Sequence, residues 1–274
     1  MASKLKHARA LLKHRTPFVV VGLMFLIGVA SPYIAPYSVN NYSFTSLLPP
    51  GPGHLLGTNN LGQDIFSLLL AGFRTSIVIA TISAVISTLV GVLMAGIAVF
   101  YKGWLEKAVM RLTDLLIMVP EIVFILVFAT FSGPGLANII VVIAVFSWSK
   151  ITRVITSRAD FAINSDRVKY TLLMKGGLIN VTRKMWRDIY PIVSTMFVLQ
   201  SAKAIMYEAD LSLVGISNPA TMTWGRLINQ AISYGVVYSG RTYLWWLVPP
   251  IVCLVLLVSC LSLSVFDREE KYVE

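Results

Sequence analysis

Ionisable side chains are scarce in the long apolar stretches of this 274-residue sequence, so the few that occur there are its first candidates for chemistry. Lys203, Tyr207, Glu208 and Asp210 lie in or at the end of one such stretch. Lys203 and Asp210 stand seven apart, which puts them on one helical face with Tyr207 between them, while Glu208 points about 140° away. Two readings of the acidic pair stay open. Either Glu208 and Asp210 mark a membrane boundary, or one of them lines the outer mouth of a passage and meets a solute or a delivery partner. Glu121 directly follows Pro120, and is either a helix-break residue or a pathway group. Arg111 and Asp114, spaced i,i+3, are expected to form a local ion pair.

Other chemistries find no residues to carry them. The chain contains no G-x-x-x-x-G-K-[ST] loop to cradle phosphates, no G-x-S-x-G elbow and no H-E-x-x-H helix. His7, His14 and His54 are scattered and lack zinc-ligand spacing. Cys253 and Cys260 fall about two turns apart on one helix face, too far to bridge. An enzyme is therefore not expected, nor a cofactor or metal held by this chain.

The elements that must position these groups are set by composition. Hydrophobic residues make up 56% of the chain and charged residues only 13%, with a mean hydropathy of +0.75; soluble domains carry roughly 25% charged residues. A span needs about 20 apolar residues. Windows of that kind run from Pro17 to Ile34, Thr75 to Tyr101, Leu115 to Phe131, Leu136 to Ser149, Ile189 to Ala209 and Tyr243 to Phe266, the last opening on Trp245 and Trp246 as interface anchors. The expectation is an all-α integral membrane protein with six transmembrane helices. Reading the first window as a signal peptide would leave five.

Charge then orients the bundle. Lys4, Lys6, Arg9, Lys13 and Arg15 precede the first window, Lys102, Lys107 and Arg111 follow the second, and Lys150 to Arg187 carries nine basic residues. The alternate loops carry few. By the positive-inside rule both termini and the basic loops are cytoplasmic, so most of the formal +10 is a topology signal and not a nucleic-acid surface. The resulting division is a basic amino terminus (1–16), a first span (17–34), an outer loop (35–74), a core with five spans (75–266) and a short tail (267–274).

Two connections are longer than the usual ~4–6 residues. The outer loop is irregular around Pro49-Pro50-Gly51-Pro52-Gly53, and Gly62 to Leu70 suggests a short amphipathic surface helix. The inner segment, 150–190, predicts a helix from Asp166 to Lys175 capped by Ser165, a turn at Gly176-Gly177, and a second helix from Asn180 toward Pro191. Such a rigid hairpin suits docking into a partner; its basic residues equally suit anionic lipid.

An ordered set of matches carries a family resemblance. His54-Leu55-Leu56-Gly57-Thr58-Asn59-Asn60-Leu61-Gly62-Gln63-Asp64-Ile65-Phe66-Ser67, Gly72-Phe73-Arg74-Thr75-Ser76, Tyr101-Lys102-Gly103-Trp104, Met110-Arg111, Asp114, Pro120, Trp148, Arg153, Arg158, the run Ala204 to Gly215, and Trp224-Gly225 keep order and spacing. Together they resemble the C-type permease subunits of dipeptide, oligopeptide and nickel ABC importers. The resemblance implies a type I importer permease fold in a plasma (inner) membrane, with half of a translocation pathway for di- or oligopeptides; oligosaccharide or nickel cargo and a non-ABC scaffold or carrier are the alternatives. It implies a second, distinct permease chain, two cytoplasmic ATPases that bind ATP and Mg²⁺, and an extracellular binding protein. It also makes the inner hairpin the coupling loop, with Asp166, Arg167, Lys169, Lys175, Gly176, Gly177, Leu178, Arg187 and Asp188 as its contact candidates. Here the sequence departs from the family motif: counting back from Pro191 places Leu178 at the motif glycine and Leu172-Leu173-Met174 at its E-A-A positions, and a one-residue shift would let Gly177 serve.

Overall fold

The computed structural model describes residues 26–133, 135–174, 178–216, 218, 220–235 and 240–273. It is all-helical: α1 (26–34), α2 (Ile65–Phe100), α3 (Trp104–Met118), α4 (Glu121–Ser132), α5 (Leu136–Ile163), α6 (Asp166–Leu173), α7 (Leu178–Leu213), α8 (Trp224–Ser233), α9 (Tyr243–Trp246) and α10 (Val248–Val273). Among the described residues the only extended pairings are two isolated bridges in the long loop, Gly51 with His54 and Thr58 with Asp64. Half of the first expected span, residues 17–25, lies outside the described residues.

Four helices are long and apolar enough to cross a membrane: Ile65–Phe100, Leu136–Ile163, Asn180–Leu213 and Tyr243–Val265. The window Leu115 to Phe131 is not one straight helix. Proline disfavours α-helical geometry in the residue before it, and here Val119 is extended (φ −97°, ψ 136°), so that α3 and α4 meet at 87°. If that bent pair counts as one span, the described residues hold five.

Hydropathy also misplaces two boundaries and one residue. The stretch Gly62 to Leu70, expected as a separate surface helix, instead supplies from Ile65 onward the first turns of α2, which at 36 residues is about 54 Å long and overshoots a ~30 Å hydrocarbon layer. Asp64 caps that helix by accepting from the Ser67 backbone N–H at 2.8 Å. The basic stretch after Ser149, expected to be loop, continues α5 to Ile163. Trp246 is not an interface anchor: it is fully buried among Ile65, Leu68, Met222, Leu227 and Ala231.

α2 is the central helix, packed against α5 and α7. Small side chains on its inner face, among them Ala80, Ser83, Ala84, Ser87, Gly91 and Ala95, let α5 approach closely. The Thr152 hydroxyl donates to the Gly91 carbonyl at 3.2 Å, and the Ser83 hydroxyl to the Ile140 carbonyl at 3.4 Å. At one end, the cap end, the loop 35–64, α8 and α9 cover the bundle. At the other, the hairpin end, α5, α6 and α7 converge on Val168, Val181, Met185 and Ile189. Lys102 ties the α2–α3 turn there to Asp160 at 2.9 Å, and this hydrogen bond holds its ammonium above the usual lysine range.

Candidate functional site

Pro120 places Glu121 at the first position of α4, where the positive end of the helix favours a carboxylate. The break aims Glu121 into the bundle, where it is 3% exposed. Three side chains from other helices converge on it. Lys150 of α5 reaches its Oε1 at 3.1 Å, Lys203 of α7 stands 3.9 Å from its Oε2, and the Tyr207 hydroxyl donates to Oε2 at 2.5 Å. One buried carboxylate thus holds two ammonium groups and a phenol.

The depth of this cluster follows from helix geometry. Lys203 lies ten residues short of the α7 terminus at Leu213, and Lys150 fourteen beyond the α5 start at Leu136, or about 15 and about 21 Å below the cap end. That is close to the middle of a ~30 Å hydrocarbon layer. The lysine side chains are 47% and 39% exposed, so the cluster opens on the flank of the subunit. Charges at this depth do not face lipid; they face another protein chain or water.

The four α7 candidates are thereby sorted. Lys203 and Tyr207 join Glu121. Glu208 turns the other way, is buried, and accepts from the Ser212 hydroxyl at 2.7 Å. Ser212 in turn neighbours Thr223, which caps α8 by accepting from the Arg226 backbone N–H. Glu208 therefore serves the α7–α8 junction, while Asp210 is exposed toward the cap end. Asp114 pairs with Arg153 of α5 at 2.9 Å, not with Arg111 as its spacing suggested, because packing brings α5 against α3. Lys150 was missed as a site residue, since the apolar run that defines its span ends at Ser149.

The hairpin end carries the second site. The Ser165 backbone carbonyl opens α6, accepting from Val168 and Lys169, while its hydroxyl donates back to Ala162. Val168 is fully buried, fixing α6 onto α5 and α7. The opposite face presents Lys169, with Tyr170, Leu173 and Met174 at 63%, 81% and 68% exposure. A groove of about 620 Å³ beside it is lined by Tyr170, Thr171, Met174, Asn180, Arg183, Lys184 and Arg187. Asp166 and Arg167 begin α6, Leu178 begins α7, and Asp188 follows Arg187 one turn before Pro191, which α7 accommodates internally. Lys175, Gly176 and Gly177 lie outside the described residues. Among the described residues no group of three His, Cys, Asp or Glu side chains could hold a metal ion.

Residues 87–267 match the family described as binding-protein-dependent transport system inner membrane component. A protein of Brucella suis biovar 1 (strain 1330) named as a peptide permease is 30% identical over 234 residues, covering 83% of this chain and 75% of that protein. The glutathione transport system permease protein GsiD of Pectobacterium atrosepticum is 28% identical over 230 residues (80% and 75% of the two chains). The dipeptide transport system permease protein DppC of Bacillus subtilis (strain 168) is 28% identical over 229 residues (81% and 69%).

Proposed function

Because the chain belongs to the family of inner-membrane components of binding-protein-dependent transport systems, the permeases of ABC importers, we propose that it carries peptides along a pathway shared with a second permease chain. Three relatives named as peptide, glutathione and dipeptide permeases support that cargo class. The pathway is read along the flank where Lys150, Lys203 and Asp210 are open, since mid-depth charge requires a protein or aqueous neighbour. An extracellular binding protein delivers cargo to the cap end. Two ATPases engage the hairpin end and bind the ATP and Mg²⁺; this chain is not itself an enzyme. Both termini, the α2–α3 turn and the hairpin are cytoplasmic, in keeping with their basic residues, and 35–64 is outside.

The observation that carries the mechanism is α6. It is a short helix fixed by buried Val168, yet it presents apolar Tyr170, Leu173 and Met174 beyond the bundle. An exposed apolar knob on a rigid element is a docking surface, and α5 and α7, joined to its two sides, would transmit its displacement into the spans. Reconstitution with the partner permease, ATPases and binding protein tests the whole reading. Peptide-stimulated ATP hydrolysis and peptide uptake are expected. A complex stimulated only by oligosaccharide or nickel would replace the cargo class, and a chain that copurifies with no ATPase would overturn the mechanism.

A further inference from the structure

We infer that the exposed stripe of α7 from Lys203 to Asp210 is a zwitterion-binding site within the pathway, matched to a free peptide of about three residues. The inference rests on the peptide reading above and deepens it. At the mid-depth end, Lys150 and Lys203 share the single carboxylate of Glu121, which leaves one formal positive charge in excess on a half-exposed surface. At the other end, Asp210 is exposed, and its carboxylate takes no hydrogen bond or ion pair among the described residues, lying only within electrostatic reach of Tyr207. Seven residues of helix separate Lys203 from Asp210, an advance of about 10 Å along nearly the same face. Tyr207 lies between them, with its hydroxyl committed to Glu121 and its half-buried ring packed on the core, so that its open part offers an apolar floor.

The stripe thus reads positive, apolar, negative over a fixed length. An extended peptide advances about 3.3–3.6 Å per residue, so three residues place a terminal ammonium and a terminal carboxylate about 10 Å apart. The carboxylate would take Lys203 and Lys150, and the ammonium Asp210. Glu121 acts as a positioning residue: buried and anchored at the Pro120 break, it holds both lysines without itself reaching the open face.

The test is equilibrium dialysis of the purified permease–ATPase complex, without the binding protein, against radiolabelled trialanine, trialanine amide and N-acetyl-trialanine. Uptake by the complete importer is measured in parallel. The native complex is expected to bind trialanine about tenfold more tightly than either blocked form, the worth of one charge-assisted contact. Lys203→Gln should erase the preference over the amide and leave that over the acetylated form. Asp210→Asn should do the reverse, and Lys203→Arg should restore the native pattern, separating a binding role from a folding defect. Variants that weaken all three ligands equally, or none, would overturn the inference, as would absence of binding while peptide uptake persists. A complete importer that takes up no peptide at all would instead remove the cargo reading, and this inference with it.

Discussion

Replacing Glu121 by glutamine removes one charge and almost no volume, which makes it the sharpest probe of the mid-depth cluster. At an effective dielectric near 20, charges separated by 3.1 and 3.9 Å attract by about 5 and about 4 kcal/mol respectively. Desolvation of the carboxylate and the half exposure of both lysines offset much of this. Removing one partner of a buried pair costs about 3–5 kcal/mol, and the exposed lysines place the expected loss for Glu121→Gln at the lower end, about 3 kcal/mol. The loss arises because two ammonium groups then face each other without a counterion. Lys203→Met in the same background removes one of them and should recover about 1–2 kcal/mol, a coupling read from a double-mutant cycle. Unfolding by SDS in mixed micelles, followed by the fluorescence of the chain's 6 tryptophans, measures each step. A Glu121→Gln variant as stable as the native chain, or a double variant less stable than Glu121→Gln alone, would refute the shared-counterion arrangement.

Gly225 packs so closely on α7 that an added Cβ would lie 2.6 Å from the Ala209 Cα and 2.8 Å from the Ser212 Cβ, so Gly225→Ala should cost about 1–3 kcal/mol in the same SDS titration. Gly62 has φ +71°, and a Cβ there would meet the Phe44 carbonyl oxygen at 2.1 Å; Gly62→Ala should loosen the loop 35–64 and accelerate its limited proteolysis. Asp114→Asn should destabilise by up to about 1 kcal/mol, as expected of a largely exposed pair, and couple to Arg153→Met but not to Arg111→Met in double-mutant cycles. Lys102 is held protonated by Asp160, so its folded pKa lies above its unfolded one: the pair's small stabilisation is complete below the usual lysine pKa and is lost as pH rises through the higher folded value. Titrations at pH 6 and 8 should therefore show no difference attributable to Lys102→Met.

The reach and the limits of the sequence have specific physical causes. Hydropathy located the cores of α2, α5, α7 and α10 because lipid demands uncharged length, and Ser165-Asp166 marked the start of α6, although the Ser165 hydroxyl donates back to Ala162 instead of capping the helix. A window average cannot register one proline, so Leu115 to Phe131 reads as a single span, although Pro120 itself offers Glu121 as a helix-break residue; the break is there, at 87°. Charge misled in the opposite direction: Lys150 ends an apolar run without ending its helix, because a buried carboxylate on another helix receives it. The site itself is a matter of tertiary distance, with Tyr207 and Glu121 separated by 86 residues in the chain. Helical spacing could place Lys203, Tyr207 and Asp210 on one face, but not choose among their partners. The same limit explains Asp114, whose nearest basic residue in sequence is displaced by Arg153 from α5.

Seating of α6 against an ATP-hydrolysing partner, with its movement passed to α5 and α7, is open to a crosslinking test. With Cys253 and Cys260 replaced by serine, a cysteine in place of exposed Tyr170 supplies one attachment point for a thiol-reactive crosslinker in the assembled importer. Capture of an ATPase subunit, with a yield that changes between nucleotide-free and ATP-bound states, is the predicted result. Labelling by lipid alone, with no ATPase captured in any nucleotide state, would contradict it.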